Sequence, residues 1–273
     1  MSQILHIDYM HEMSELIMSS CDSTYVTEKL RFALDFSGII NFDLAYDSPL
    51  CRVRKLDEKQ PFNHTSDIWY PPREFAKVGR LNEEGSPYLY VSVTLETALL
   101  EMKAQAGDHF QVGIYKFKKG KTPRMAVVGE KSRAIKGVGN SISPTLANEM
   151  IRIFTKLAEK DIILANSYRY ADSFFDHIMR DPDARAKGYL HSRTLAKLIF
   201  EKHPSIDCFL YHSVASAGGQ NIAMPCSKAD ELVGLLDTFV IRVNKVYPYG
   251  IYNIDFINRP KNIDDNGYIF WQS

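Results

Sequence analysis

Gly79-Arg80-Leu81-Asn82-Glu83-Glu84-Gly85-Ser86-Pro87-Tyr88-Leu89-Tyr90-Val91-Ser92-Val93-Thr94-Leu95-Glu96-Thr97-Ala98-Leu99-Leu100-Glu101 is the stretch on which the fold class turns. Residues 79–87 are rich in turn formers, bounded by Gly79 and Pro87. Residues 88–93 are aromatic and β-branched and read as a strand. Thr94 can cap a helix whose inward stripe is Leu95, Ala98, Leu99 and Met102. Glu101 stands three residues after Ala98, so it flanks that stripe.

Upstream, the first forty residues read as helical. Ser23-Thr24 offers a cap, and Val26, Leu30, Ala33 and Leu34 recur at three- and four-residue steps. Residues 50–54 read as a short strand, followed by a loop holding Pro61, Pro71 and Pro72. Downstream, 112–117 reads as a strand and 120–143 as a Gly- and basic-rich connection. Ser143-Pro144 opens a helix with Leu146, Met150, Ile153, Phe154 and Leu157 on its buried face. Further helices are expected over 167–180 and 192–202, and strands over 206–211 and 221–224. Residues 232–246 read as a short helix and then a strand, and the tail after Pro248 as aromatic and irregular. Strands and helices do not alternate regularly, so the expected class is α+β. There is no internal repeat or low-complexity linker. The order is an acidic helical preface (1–47), a main domain (48–246) and a tail (247–273).

The 273 residues are 45% hydrophobic and 24% charged, which excludes a disordered chain, a collagen-like repeat and a coiled-coil rod. No window reaches the ~18 consecutive apolar residues of a membrane span. The first eight residues lack a basic leader and meet Asp8 at once, so the expectation is a cytoplasmic protein with no membrane partner. Basic and acidic residues balance at 33 each, which argues against sequence-independent nucleic-acid binding. Residues 1–50 hold two bases, Lys29 and Arg31, against eight acids, a net charge of −6, and the remainder carries +6. Such a basic body suits an anionic small molecule. Cys21, Cys51, Cys208 and Cys226 form no C-x-x-C pair and have no histidine at a zinc-like offset, and Cys208 reads as a small core residue. His6 and His11 are five apart, off the spacing that stacks two ligands on a helix face. No metal site is therefore expected.

The common catalytic templates are absent: no phosphate loop, no G-x-S-x-G elbow and no H-E-x-x-H. Gly137-Val138-Gly139 lacks the strand–turn–helix context of a dinucleotide fingerprint. What remains is a set of polar residues that neither core nor turn requires. Arg52 lies within a strand, Arg80 in a glycine-bounded turn and Tyr90 at the end of an apolar strand. Glu101 edges a buried helix face, and Ser213 closes another apolar strand ahead of Gly218-Gly219-Gln220-Asn221. Singly, each has a plainer reading: a surface ion pair, a solvated turn, a core tyrosine, an exposed helix glutamate, a hairpin.

Taken in order, these pieces resemble the RES-domain family, toxins of bacterial toxin–antitoxin pairs named for an Arg, a Glu and a Ser. The 79–101 string is similar to the family's core. Leu50-Cys51-Arg52-Val53-Arg54 looks like the strand of its first arginine, with Cys51 where tyrosine is more usual. Tyr211-His212-Ser213-Val214 and Gly218-Gly219-Gln220-Asn221 are similar to its closing run, with His212 in place of proline. The resemblance covers roughly 48–226, and the middle, 103–188, matches poorly and is longer than in compact members.

The resemblance implies an ADP-ribosyltransferase-like split β-structure with flanking helices around an NAD cleft. It also implies cleavage of NAD at the nicotinamide–ribose bond, with NAD as substrate and no prosthetic group, and a partner antitoxin of the helix-turn-helix (Xre) type. Residue chemistry agrees. Arg52 and Arg80 suit a pyrophosphate, and Tyr90 suits the cationic nicotinamide ring. A carboxylate such as Glu101 can stabilise an oxocarbenium ion and hold a 2′-hydroxyl. Nicotinamide leaves neutral from a pyridinium, so one glutamate can suffice. The family also uses a polar position matching Ser192, read here at a helix start, where an N-cap is the plainer role. Ser213 and Asn221 complete the expected NAD-binding set, with Glu101, Tyr90 and Arg80 as the catalytic set. The alternatives are a mono-ADP-ribosyltransferase that marks a host protein, an inactive RES-like binding module, and a serine hydrolase using Ser213 with His212. Adjacent strand residues point to opposite faces, which disfavours the last.

Overall fold

A computed structural model describes residues 6–57, 60–138 and 142–272. Gly139 of the glycine pair and the first five residues of the leader reading lie outside the described residues. The chain opens with α1 (Ile7–Ser19), α2 (Ser23–Ser37), β1 (Ile40–Asp43) and β2 (Leu50–Lys55). Next come β3 (Tyr88–Ser92), α3 (Leu95–Glu101), β4 (His109–Phe117), β5 (Arg124–Val127) and α4 (Glu130–Lys136). Three longer helices follow, α5 (Pro144–Lys160), α6 (Ile162–Arg180) and α7 (Leu190–Lys202). The chain then runs β6 (Cys208–His212), β7 (Gln220–Pro225), α8 (Cys226–Leu232) and β8 (Val233–Val246). It ends with β9 (Tyr252–Asn258), β10 (Pro260–Ile263) and β11 (Ile269–Trp271). The fold is α+β, as the pattern of elements leads one to expect.

Chain contacts divide into two interleaved units, where the sequence reading gives three consecutive stretches. The first holds 1–42, 78–83 and 126–206 and is mainly helical. α2 packs on α7, and α1 on α6. Its core is built from Met10, Ile17, Leu30, Phe175, Leu195 and Ile199, all fully buried. Asp22, not the expected Ser23-Thr24 pair, caps α2 by accepting from the Thr24 and Tyr25 N–H groups. The apolar stripe read from the sequence, Val26, Leu30, Ala33 and Leu34, is the buried face. The first two helices are thus part of a packed core.

The second unit holds 43–77, 84–125 and 207–273. Its sheet runs in the order β6-β7-β3-β2-β4-β8-β9. The neighbours in this run are antiparallel. β2 pairs with β4 along its length, from Leu50 opposite Tyr115 to Lys55 opposite Phe110. β2 meets β3 through a single pair, Cys51 opposite Ser92, so the sheet is nearly open between these strands. α3 packs on β2, and Cys51, Val53, Ala98, Leu99, Phe110 and Ile241 share one core cluster.

Five local readings are corrected. Of Leu146, Met150, Ile153, Phe154 and Leu157, expected on the buried face of α5, none is buried and Ile153 is exposed. The connection 120–143 contains β5 and α4. The helix expected at the start of 232–246 lies earlier, as α8, and β8 is strand throughout. The tail is not irregular: β9 pairs with β8, and β10 with β11. Met102 is not on the inward stripe. It follows the last residue of α3 and is exposed.

Candidate active site

Thr94 does cap α3, accepting from the Thr97 N–H, and this fixes where the helix starts. Ala98 and Leu99 go to the core, and Glu101, the last helical residue, stays exposed. Its Oε1 accepts two hydrogen bonds, from the Ser213 hydroxyl at 2.7 Å and from the Asn221 Nδ2 at 2.7 Å. Both donors are buried. Neither bond involves Oε2, so a fixed carboxylate keeps an acceptor to offer.

The donors are themselves held. Ser213 follows β6, and its Oγ accepts from the N–H groups of Ala215 at 3.1 Å and Ser216 at 3.0 Å. Its own N–H donates to the Gly219 carbonyl, closing the 213–219 loop. Asn221 lies on β7 opposite Ser92, whose hydroxyl donates to Asn221 Oδ1 at 2.7 Å. Sequence reasoning missed Ser92. The strand pattern around it shows a small polar residue on a buried strand, but not its partner.

Gly219 is a close-approach glycine. A Cβ there would lie 2.6 Å from Ser216 Oγ and 2.6 Å from Thr97 Oγ1. Gly219→Ala is therefore expected to cost roughly 1–3 kcal/mol by overpacking. Urea unfolding measures this, and an unchanged midpoint would show that the loop yields freely.

On β2, Cys51 and Val53 pack with α3, so alternation sends Arg52 to the opposite face. Arg52 Nη1 donates to the Tyr90 carbonyl at 2.9 Å, across the opening between β2 and β3. Its Nε is buried without a partner, and burial lowers its pKa from the ordinary value. The half-buried Tyr90 ring lies 6.2 Å from that of Tyr88. Burial, with Glu96 adding its charge, pushes the Cys51 thiol up to about 11, which keeps it protonated and unreactive at neutral pH.

Arg80 and Ser192 belong to the first unit. Arg80 is not a solvated turn residue. Nη1 donates to the carbonyls of Met179 at 2.9 Å and Asp181 at 3.2 Å, covering the C-terminal end of α6. Its guanidinium carbon also lies 5.5 Å from the centre of the Tyr189 ring. Ser192 is buried in the first turn of α7 and donates to the Tyr189 carbonyl at 3.3 Å, so it is not an N-cap.

The structure thus joins Glu101, Ser213 and Asn221 directly and ties Arg52 to Tyr90, all in the second unit. Ser213 and Asn221, expected to contact NAD, direct these groups at Glu101. Among the described residues no group of three or more His, Cys, Asp or Glu side chains is placed to hold a metal ion. Among them, too, no helix is long and apolar enough to cross a membrane. Compared with models of protein families and with curated proteins, the chain matches none.

Proposed function

We propose that this protein consumes NAD by cleaving its nicotinamide–ribose bond. The observation that carries this reading is the Glu101 carboxylate, with Oε1 fixed by two buried donors and Oε2 outside both bonds. The RES-domain resemblance of 48–226 supports it. Oε2 meets the ribose, holding the 2′-hydroxyl and stabilising the positive charge that grows at C1′. The C1′–N bond breaks, and its electron pair passes to the ring nitrogen, so nicotinamide leaves neutral. Water adds to C1′ and releases a proton, giving ADP-ribose. With phosphate as acceptor the product is the ADP-ribose 1″-phosphate.

Tyr90 provides an aromatic face for the nicotinamide cation. Arg52, with an unpartnered Nε, serves the pyrophosphate. The partner in this reading is an antitoxin with an acidic or carboxylate-terminated segment, which meets Arg52 in place of the pyrophosphate.

The test is incubation of purified protein with NAD and EDTA, with and without phosphate, following nicotinamide release. Release in EDTA is expected. No release from folded, antitoxin-free protein under either condition overturns the reading. Label from NAD retained on protein would move the activity to ADP-ribosyl transfer.

A further inference from the structure

Asn221 has two faces. One meets the Glu101 Oε1 and the other meets the Ser92 hydroxyl, each at 2.7 Å. An ionised carboxylate only accepts hydrogen bonds, so Nδ2 must face Glu101. Oδ1 then faces Ser92, and Ser92 must donate its single hydroxyl proton. Ser92 and Asn221 are each 5% exposed, which leaves little room for water to replace either partner. The two residues sit directly opposite each other on β3 and β7, and Ser92 is also the residue through which β3 meets β2. One hydroxyl therefore braces the amide from behind, in the orientation that the carboxylate selects.

We infer that Ser92 is a positioning residue: it locks the orientation of Asn221 and so holds the Glu101 carboxylate in its reacting pose. Without the Ser92 donor, Oδ1 is buried with no partner and the amide is held on one side only. The amide can then swing, and its bond to Oε1 loosens. The Ser213 bond would remain as the firmer link holding Oε1, and Oε2 would lose its fixed aim. The inference rests on Glu101 being the reacting carboxylate of the proposed function.

Two measurements separate the failure of this inference from the failure of that reading. The first needs no reaction. The Asn221 side-chain amide resonances, assigned by their disappearance in Asn221→Asp, report whether Nδ2 donates to a carboxylate. In Ser92→Ala these protons are expected to move upfield and exchange faster with water, while Ser92→Thr keeps the wild-type pattern. The second is kinetic. Ser92→Ala is expected to lower kcat for nicotinamide release about three- to tenfold, the worth of one hydrogen bond. KM for NAD should stay within about twofold, because the NAD contacts proposed above are untouched. Ser92→Thr, which restores the hydroxyl, should recover most of kcat. Unchanged Asn221 amide signals in folded Ser92→Ala overturn the inference whether or not NAD is the substrate. A KM rise that matches the kcat loss also overturns it. Shifted amide signals in a protein that never releases nicotinamide leave Ser92 as the lock on Asn221 and reject NAD.

Discussion

Glu101→Gln is expected to lower NAD turnover by about 10²–10³, the usual consequence of removing one preorganised electrostatic partner from a transition state. The substitution isolates charge from geometry. The glutamine amide oxygen can still accept from the Ser213 hydroxyl and from Asn221 Nδ2, so the side chain keeps its position. What disappears is the negative charge that, in the proposed reaction, faces the ribose as its C1′–N bond breaks. The pyrophosphate and nicotinamide contacts proposed above lie on other residues, so KM should change little while kcat falls. Steady-state nicotinamide release over a range of NAD concentrations separates the two constants. Near-normal turnover would place the chemistry on another residue. A rise in KM alone would make Glu101 a binding residue.

Phe110→Ala should destabilise the protein by about 3–5 kcal/mol, among the larger costs for a single core residue. Phe110 is fully buried on β4, opposite Lys55 of β2 and Ile241 of β8. It shares its cluster with Val53, Leu99 and Phe239. Three strands and α3 meet over this ring, and none can collapse into the space without breaking its own pairing. The loss combines the transfer energy of the ring with an unfilled cavity. Urea unfolding followed by tryptophan fluorescence gives the shift in midpoint. A change below about 1 kcal/mol would mean that the cluster repacks and that α3 is less firmly seated than its contacts imply. Because α3 carries Glu101, the same variant should also lose activity at temperatures where it remains mostly folded.

What the sequence determined here is local. The Ser143-Pro144 start, the Thr94 cap and the stripe Val26, Leu30, Ala33 and Leu34 all read correctly, because caps and helical periodicity act within about four residues. The strand that carries Tyr90 and the helix that ends in Glu101 were legible for the same reason. Local signals failed where burial came from distant partners. β8 pairs with β4 on one side and β9 on the other, yet its Leu236 is 62% exposed, so its apolar residues did not mark a helix face. The tail strands had no local signal strong enough to separate them from an aromatic loop.

The candidate site divides along the same line. The resemblance pointed to Glu101, Ser213 and Asn221 one by one, but their meeting spans 112 and 120 positions of chain. It exists only because β6, β7 and β3 lie side by side in the sheet. The role of Ser92 follows from strand register, since a shift of one residue would turn its hydroxyl to the other face. Arg80 was visible as an arginine between glycines, whereas the carbonyls it covers come from the end of α6, about a hundred residues on. Sequence fixes what each side chain can do over a few bonds. Which side chain it does it with depends on strand order and helix packing, and these are set by the burial of the whole chain.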